Sequence, residues 1–298
     1  MEKMEEAYVT LKNGETIFYR KRPGGDKAVL LIHGNMSSSN HWKRLMRVFD
    51  ERFTVFAPDL RGFGLSTYNE TITSLKDFSD DIKLFVDEIG LRKFSVIGWS
   101  LGGGVAMRFT LDYPQHVEKL VLLASISTRG YPIFSMNEDG TFNVKKRLKT
   151  MDEIASDYRT KWMEKLYESN DRQMLKKLLD SLMFSVNRPP EEMYEEAIDD
   201  MLKQRNLVEA NHAINIFNIS DKFNGTFHGT DETKNINVPV LNIYGVHDRT
   251  VTKRMIDEIA ADLAHCVMTV KLKNCGHAPV VDDLPTLKQE IETFLDRG

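Results

Sequence analysis

The chain has 298 residues, 41% of them hydrophobic and 28% charged, with 18 glycines, 9 prolines and 2 cysteines. That balance excludes fibrous, low-complexity and disordered classes, and the length allows a large apolar core without covalent staples. Forty Lys and Arg against 44 Asp and Glu leave a net charge of -4, with none of the basic excess that nucleic-acid or anionic-lipid binding demands.

The acidic opening Met1-Glu2-Lys3-Met4-Glu5-Glu6 does not fit a signal or transit peptide. No apolar run nears the roughly 20 residues of a membrane-spanning helix, so a cytoplasmic protein is expected. Residues 7–11 and 16–20, separated by Asn13-Gly14, predict an antiparallel hairpin, because Asn-Gly supplies the positive φ angles of a tight turn. Four apolar runs, 28–33, 53–58, 94–98 and 119–124, then read as parallel strands covered on both faces. Helical periodicity at 42–49, 75–89 and 101–113 lies between them; Ser74 with Asp77 resembles a capping box, and Gly90 stands where a C-cap glycine belongs.

From 128 to 236 strand-like runs almost vanish, and helices are expected over 151–166, 173–184 and 191–219, interrupted at Pro189-Pro190. Residues 224–237 read as the exit from this unit. Two more strands follow at 240–244 and 267–272, separated by a helix over 253–263, with a last helix over 284–295. The division is therefore a core of 1–127 and 237–298 with a helical insertion of 128–236. Cys266 and Cys275 lack any C-x-x-C or Cys/His spacing and read as reduced thiols.

The segment Gly98-Trp99-Ser100-Leu101-Gly102 places G-x-S-x-G between a predicted strand and a predicted helix. A sharp turn there exposes the Ser100 hydroxyl and points helix N-terminal N–H groups at a developing oxyanion. A serine hydroxyl is a weak nucleophile near neutral pH and needs a histidine base with a group to orient it. Asp248 follows the strand at 240–244, and His277 follows the strand at 267–272, so Ser100, Asp248 and His277 stand at consecutive strand ends in nucleophile, acid, base order. For the oxyanion, the Leu101 N–H is one donor. The other is expected from Asn35 in the loop His33-Gly34-Asn35-Met36, its side chain free to orient a substrate oxygen or to close the loop locally.

His33 is expected to brace that loop. His247 is a rival base that would point away, while His41, His116, His212, His228 and His265 read as structural. Trp99 either lines the substrate pocket or packs the elbow. Residues 59–66 read as a hydrogen-bonded turn, and Gly102 to Gly104 lack the Lys-Ser/Thr pair of a phosphate loop.

Taken together, His33-Gly34-Asn35, Asp59-Leu60-Arg61-Gly62-Phe63-Gly64, Gly98-Trp99-Ser100-Leu101-Gly102-Gly103, Gly245-Val246-His247-Asp248 and Gly276-His277-Ala278-Pro279 resemble the α/β-hydrolase superfamily. The resemblance implies a mostly parallel eight-stranded sheet flanked by helices, with the insertion as a helical cap. His33-Gly34-Asn35-Met36-Ser37 with the serine motif is similar to acyl-homoserine lactonases, and Gly-Trp-Ser-Leu-Gly-Gly is also similar to the pimeloyl-ester carboxylesterases of biotin synthesis. Haloalkane dehalogenases and epoxide hydrolases share the layout but use an Asp where this chain has Ser100. Prolyl iminopeptidases have a Gly-Gly-Pro-Gly loop that is absent here.

The resulting expectation is a serine hydrolase of small or medium acyl esters or lactones, working through an acyl-enzyme with no metal or organic cofactor. A small-molecule substrate is expected, with no nucleic acid and no membrane span, in a monomer or homodimer. Two alternatives are a carbon–carbon bond hydrolase with the same triad and cap, and a triad-bearing ligand sensor with little turnover.

Overall fold

The computed structural model describes residues 4–297; the first three residues of the acidic opening lie outside them. Eight strands form one sheet. β1 (Glu5–Thr10) and β2 (Thr16–Arg22) make an antiparallel hairpin, and β2 pairs antiparallel with β4 (Phe53–Pro58). β3 (Lys27–Ile32), β5 (Phe94–Trp99), β6 (Val117–Leu123), β9 (Val240–Gly245) and β10 (Val267–Leu272) continue the sheet in parallel with β4. The spatial order is β1-β2-β4-β3-β5-β6-β9-β10. At the hairpin, Gly14 has φ +86 and its N–H meets the Leu11 carbonyl at 3.0 Å, as the Asn-Gly pair predicts.

The central strands are apolar on consecutive positions because each face covers a different core. Leu30 and Ile32 of β3, Val96 of β5, and Leu120 and Leu122 of β6 pack with Phe78, Phe85 and Phe109 from α2 (Leu75–Glu88) and α3 (Leu101–Asp112). Their alternate neighbours Val29, Leu31, Ile97, Val121 and Leu123 face the other way. There they pack with Leu45 of α1 (Lys43–Val48) and with Leu287 and Ile291 of α11 (Leu284–Asp296). The Ser74–Asp77 capping box at the start of α2 is present.

Between β6 and β9 the chain departs from expectation in three places. A two-stranded hairpin, β7 (Phe134–Met136) and β8 (Phe142–Arg147), precedes the helices; helical periodicity gave no hint of these short strands. The helix expected over 151–166 is two, α4 (Met151–Ser156) and α5 (Tyr158–Glu168). Asp157 divides them: its carboxylate accepts from the Arg159 N–H at 3.1 Å as the α5 N-cap and from the Ser135 hydroxyl at 2.6 Å, and it stays outside the helix to do so. After α6 (Arg172–Leu182), the helix expected over 191–219 is also two, α7 (Glu191–Lys203) and α8 (Leu207–Ile216). At that break the Asn206 side chain donates to the Arg61 carbonyl at 2.7 Å. α9 (Lys253–Asp262) matches expectation, whereas α10 (Pro279–Asp282) was not foreseen. No helix among the described residues is long and apolar enough to cross a membrane.

The loop 59–66 is structural, as read from the sequence. Arg61 Nε donates to Asp81 at 2.6 Å and its guanidinium lies 3.7 Å from Glu15, whose side chain is fully buried. Glu15 in turn accepts from the N–H groups of Asn69 and Glu70 at 2.8 and 2.9 Å. Replacing Arg61 by Met leaves two buried carboxylates without their cation, and the expected loss is about 3–5 kcal/mol of unfolding free energy. Urea denaturation of wild type and Arg61→Met checks this; a loss below about 1 kcal/mol would show that the carboxylates do not depend on Arg61.

Candidate active site

Ser100 sits between the last residue of β5 and the first of α3, with φ 55 and ψ -120. A non-glycine residue at positive φ is strained, and here the surroundings enforce it. The Ser100 N–H donates to the Leu123 carbonyl at 3.1 Å, and the Ser100 carbonyl accepts from Gly103 at 3.0 Å and Ile126 at 3.2 Å. The turn is tight enough that a Cβ on Gly98 would come within 2.2 Å of the Gly102 carbonyl oxygen. One on Gly102 would lie 2.3 Å from the Ile32 carbonyl oxygen. No other residue type fits at either position.

Two further strand ends converge on the serine. Asp248, after β9, accepts the Thr250 and Val251 N–H groups at 2.7 and 2.8 Å with one carboxylate oxygen, and its other oxygen accepts a hydrogen bond from His277 Nδ1 at 2.9 Å. Both side chains are nearly inaccessible, at 2% and 5% exposure. The His277 loop is fixed from two sides: Trp99 Nε1 donates to the His277 carbonyl at 2.8 Å, and the Asp282 carboxylate of α10 accepts from the Gly276 N–H at 2.7 Å. Asp282 carried no sequence signal, because nothing local in Val280-Val281-Asp282-Asp283 marks a bond back to the Gly276 N–H.

Asn35 and Leu101 lie beside Ser100, and neither backbone N–H has an acceptor among the described residues. The Asn35 side chain is not free to reach a substrate. Its oxygen accepts from the Met36 N–H at 3.0 Å and from Gln204 Nε2 at 2.8 Å, while its amide donates to Asn211 at 3.1 Å. The loop-closing role is the one observed. His33 braces the same loop: its Nδ1 contacts the Gly34 carbonyl at 2.8 Å and its Nε2 accepts from the Leu60 N–H at 2.9 Å, while burial lowers its pKa and favours the neutral ring.

Trp99 is buried in the elbow and also lines the inner chamber. His41 stacks flat against it, ring centroids 3.7 Å apart and planes 6° from parallel. Burial, then the neighbouring His277 and His33, lower the His41 pKa well below the usual imidazole value. His247 is exposed. His116 and His265 contact the backbone carbonyls of Arg92 and Ile236.

Ser100, His277, Trp99, Leu101 and Asn35 open onto one inner chamber of about 80 Å³, walled by Ile126, Leu178, Leu179, Leu182, Met183, Met201 and Ile214. Asp248 stands behind His277. The apolar walls come largely from α6, α7 and α8. Among the described residues no three His, Cys, Asp or Glu side chains gather as a metal site.

The family profile described as alpha/beta hydrolase fold matches residues 27–284. The chain belongs to the α/β-hydrolase family. Among relatives of this hydrolase, a 2-hydroxy-6-oxononadienedioate/2-hydroxy-6-oxononatrienedioate hydrolase of Pseudomonas putida is 24% identical over 99% of this chain and 98% of its own. A match at 35% identity to an uncharacterised protein of Mycobacterium tuberculosis covers 34% of this chain and only 30% of that protein's length. In structure, an esterase from Exiguobacterium antarcticum has a TM-score of 0.75 at 17% identity, covering 98% of this chain and 100% of its own. The enol-lactonase from Burkholderia xenovorans gives 0.73 at 18%, with the same coverage. These structural likenesses speak for the fold alone.

Behind the Asn35 loop lies Asp200 of α7, buried, accepting from the Ser38 hydroxyl at 2.7 Å and Asn40 Nδ2 at 2.9 Å. Burial, with Asp59 nearby, raises its carboxyl from 3.8 to about 7. A folded pKa above the unfolded one means stability that is complete below about pH 4 and is lost as pH rises through about 7. Asp200→Asn removes that proton linkage. Between pH 5 and 8 the wild-type Tm is expected to fall relative to that of Asp200→Asn; Tm curves that stay parallel over that range would refute the assignment.

Proposed function

We propose that this α/β-hydrolase cleaves small or medium acyl esters or lactones through a Ser100 acyl-enzyme. The observation that carries the reading is the Asp248–His277 hydrogen bond beside a strained Ser100 whose chamber is also lined by Leu101 and Asn35, with backbone N–H groups that have no acceptor among the described residues. With Nδ1 donating to Asp248, His277 Nε2 is left as the basic nitrogen. It takes the Ser100 proton as Oγ attacks the carbonyl carbon, and the oxyanion accepts hydrogen bonds from Leu101 and Asn35. His277 then protonates the departing alkoxide, and a water that it deprotonates hydrolyses the ester of Ser100. The Leu101 donor sits at the N-terminus of α3, where the helix dipole adds to the stabilisation.

In this reading residues 128–236 are the cap over a core of 1–127 and 237–298. Apolar side chains from α6 to α8 enclose the acyl group, and the bonds from Gln204 and Asn211 to Asn35 tie the cap to the oxyanion loop.

A second reading, carbon–carbon bond hydrolysis, is favoured by the full-length likeness to the Pseudomonas putida dienedioate hydrolase. It uses the same nucleophile and base, so substrate preference separates the two.

A panel of p-nitrophenyl esters of increasing acyl length, run beside acyl-homoserine lactones and a vinylogous diketone, tests the proposal. Ester turnover is expected, lost in Ser100→Ala with the Tm retained, and Asp248→Asn should lower kcat on the order of 10³–10⁴-fold. Ester turnover that survives Ser100→Ala sinks the serine mechanism; cleavage of the diketone alone transfers the assignment to the second reading.

A further inference from the structure

The inner chamber adjoins an outer cavity of about 450 Å³, and six residues line both: Asn35, Met36, Arg159, Leu178, Leu182 and Asn211. Arg159 is the only Lys or Arg among the residues lining either space. Its guanidinium forms no hydrogen bond and no ion pair with any described residue; it lies over the Phe142 ring, 5.7 Å from the guanidinium carbon to the ring centroid, with the buried phenols of Tyr131 and Tyr167 in electrostatic reach. Three other half-buried arginines have partners: Arg108 has Asp112 and Glu232, Arg129 has Asp262, and Arg147 has Asn215 and Asn224.

The fold supplies no reason for a cation at this place. Arg159 occupies the first turn of α5, where the positive end of the helix dipole disfavours it. It is also half-buried at the neck between two cavities whose walls are mostly apolar, so part of its hydration is given up without a protein anion in return. Glu138 and Asp139 line the outer cavity on the turn of the β7–β8 hairpin, yet both are exposed and neither pairs with it; Asp139 accepts instead from Thr141. The Tyr131 phenol, held protonated by burial, lines the inner chamber within electrostatic reach of both Arg159 and Asp248.

We propose that Arg159, at the neck between the two cavities, binds a carboxylate on the substrate several bonds from the scissile carbonyl, so that the preferred substrates are anionic esters or lactones. The inference rests on the hydrolase reading and specifies its substrate class. A planar guanidinium takes a carboxylate through two parallel N–H bonds, with the Asn211 amide and the Tyr131 hydroxyl as neighbouring donors. A single guanidinium with no second cation matches a carboxylate monoanion. The acyl chain then lies along the apolar inner walls, with its carbonyl at Ser100 and its charge at the neck.

The test compares p-nitrophenyl hemiesters of succinic to suberic acid with methyl-terminated esters of equal length, on wild type, Arg159→Gln and Arg159→Lys. At the best length wild type should favour the hemiester about tenfold or more in kcat/KM, chiefly through KM, with Arg159→Gln reducing that ratio about tenfold and Arg159→Lys keeping part of it. Separately, free dicarboxylates of the same lengths should raise the Tm of Ser100→Ala but not of Ser100→Ala/Arg159→Gln. A wild-type ratio near one at every length, or an equal ratio in Arg159→Gln, overturns the proposal. Dicarboxylate stabilisation that requires Arg159, without any Ser100-dependent turnover, supports the anion site while removing the hydrolase reading. Ser100-dependent turnover with neither preference nor stabilisation does the reverse.

Discussion

The structure turns on the backbone of Ser100. A residue with a side chain held at φ 55 costs of order 1–3 kcal/mol and persists only where its neighbours allow nothing else. Those neighbours are β5, buried along its whole length, and α3, whose first turn is buried against the end of β3. The hydrogen bonds to Leu123 and from Ile126 lock the turn to the adjacent strand β6. Because β9 and β10 extend the sheet on that same side, the loops carrying Asp248 and His277 emerge at the same edge as the serine. A sheet of parallel strands thus converts three distant stretches of sequence into one chamber.

A second dependence runs from α7 to the loop after β3. Gln204 meets both Met36 and Asn35, Asp200 meets Ser38 and Asn40, and Glu196 pairs with Lys43. Met36 itself has φ 53, a second strained residue in the loop that presents the Asn35 N–H. Polar side chains so deeply placed are justified only when bonded, and here each bond runs between α7 and the loop region. The position of the Asn35 N–H is therefore set in part by a helix more than 150 residues away in the chain, at separations such as 168 residues for Gln204 to Met36.

This explains what the sequence could and could not convey. All eight strands of the main sheet were legible, the first two from the Asn-Gly turn between them and the other six because apolar runs bounded by turn residues are a local signal. Ser100, Asp248 and His277 could be singled out as candidates because each follows such a run, and the structure brings them to one edge of the sheet. The breaks at Asp157 and at Asn206 were not, since periodicity continues across them and each residue leaves the helix to bond a distant partner, Ser135 in one case and Arg61 in the other. The β7–β8 hairpin is three residues on one side and largely exposed on the other, so its alternation, Phe134-Ser135-Met136 and Phe142-Asn143-Val144-Lys145, is too short to stand out from the helical stretches around it. Gln204, Asn211, Asp200, Asp282 and Arg159 share one property: each matters for a partner, or the lack of one, that no local pattern contains.

The stack of His41 on Trp99 bears on the proton transfers proposed for His277. One indole face is covered by a neutral imidazole at 3.7 Å, while the His277 ring sits 5.2 Å from the indole centroid at a 42° tilt. In the proposed reaction His277 passes through an imidazolium, and a second imidazolium behind the indole would repel it. Keeping His41 neutral by burial removes that opposition. The same tryptophan holds the His277 carbonyl, so its ring and its N–H act on one residue from the same scaffold. A side chain beside the nucleophile in sequence thus becomes, through the sheet, a support for the base.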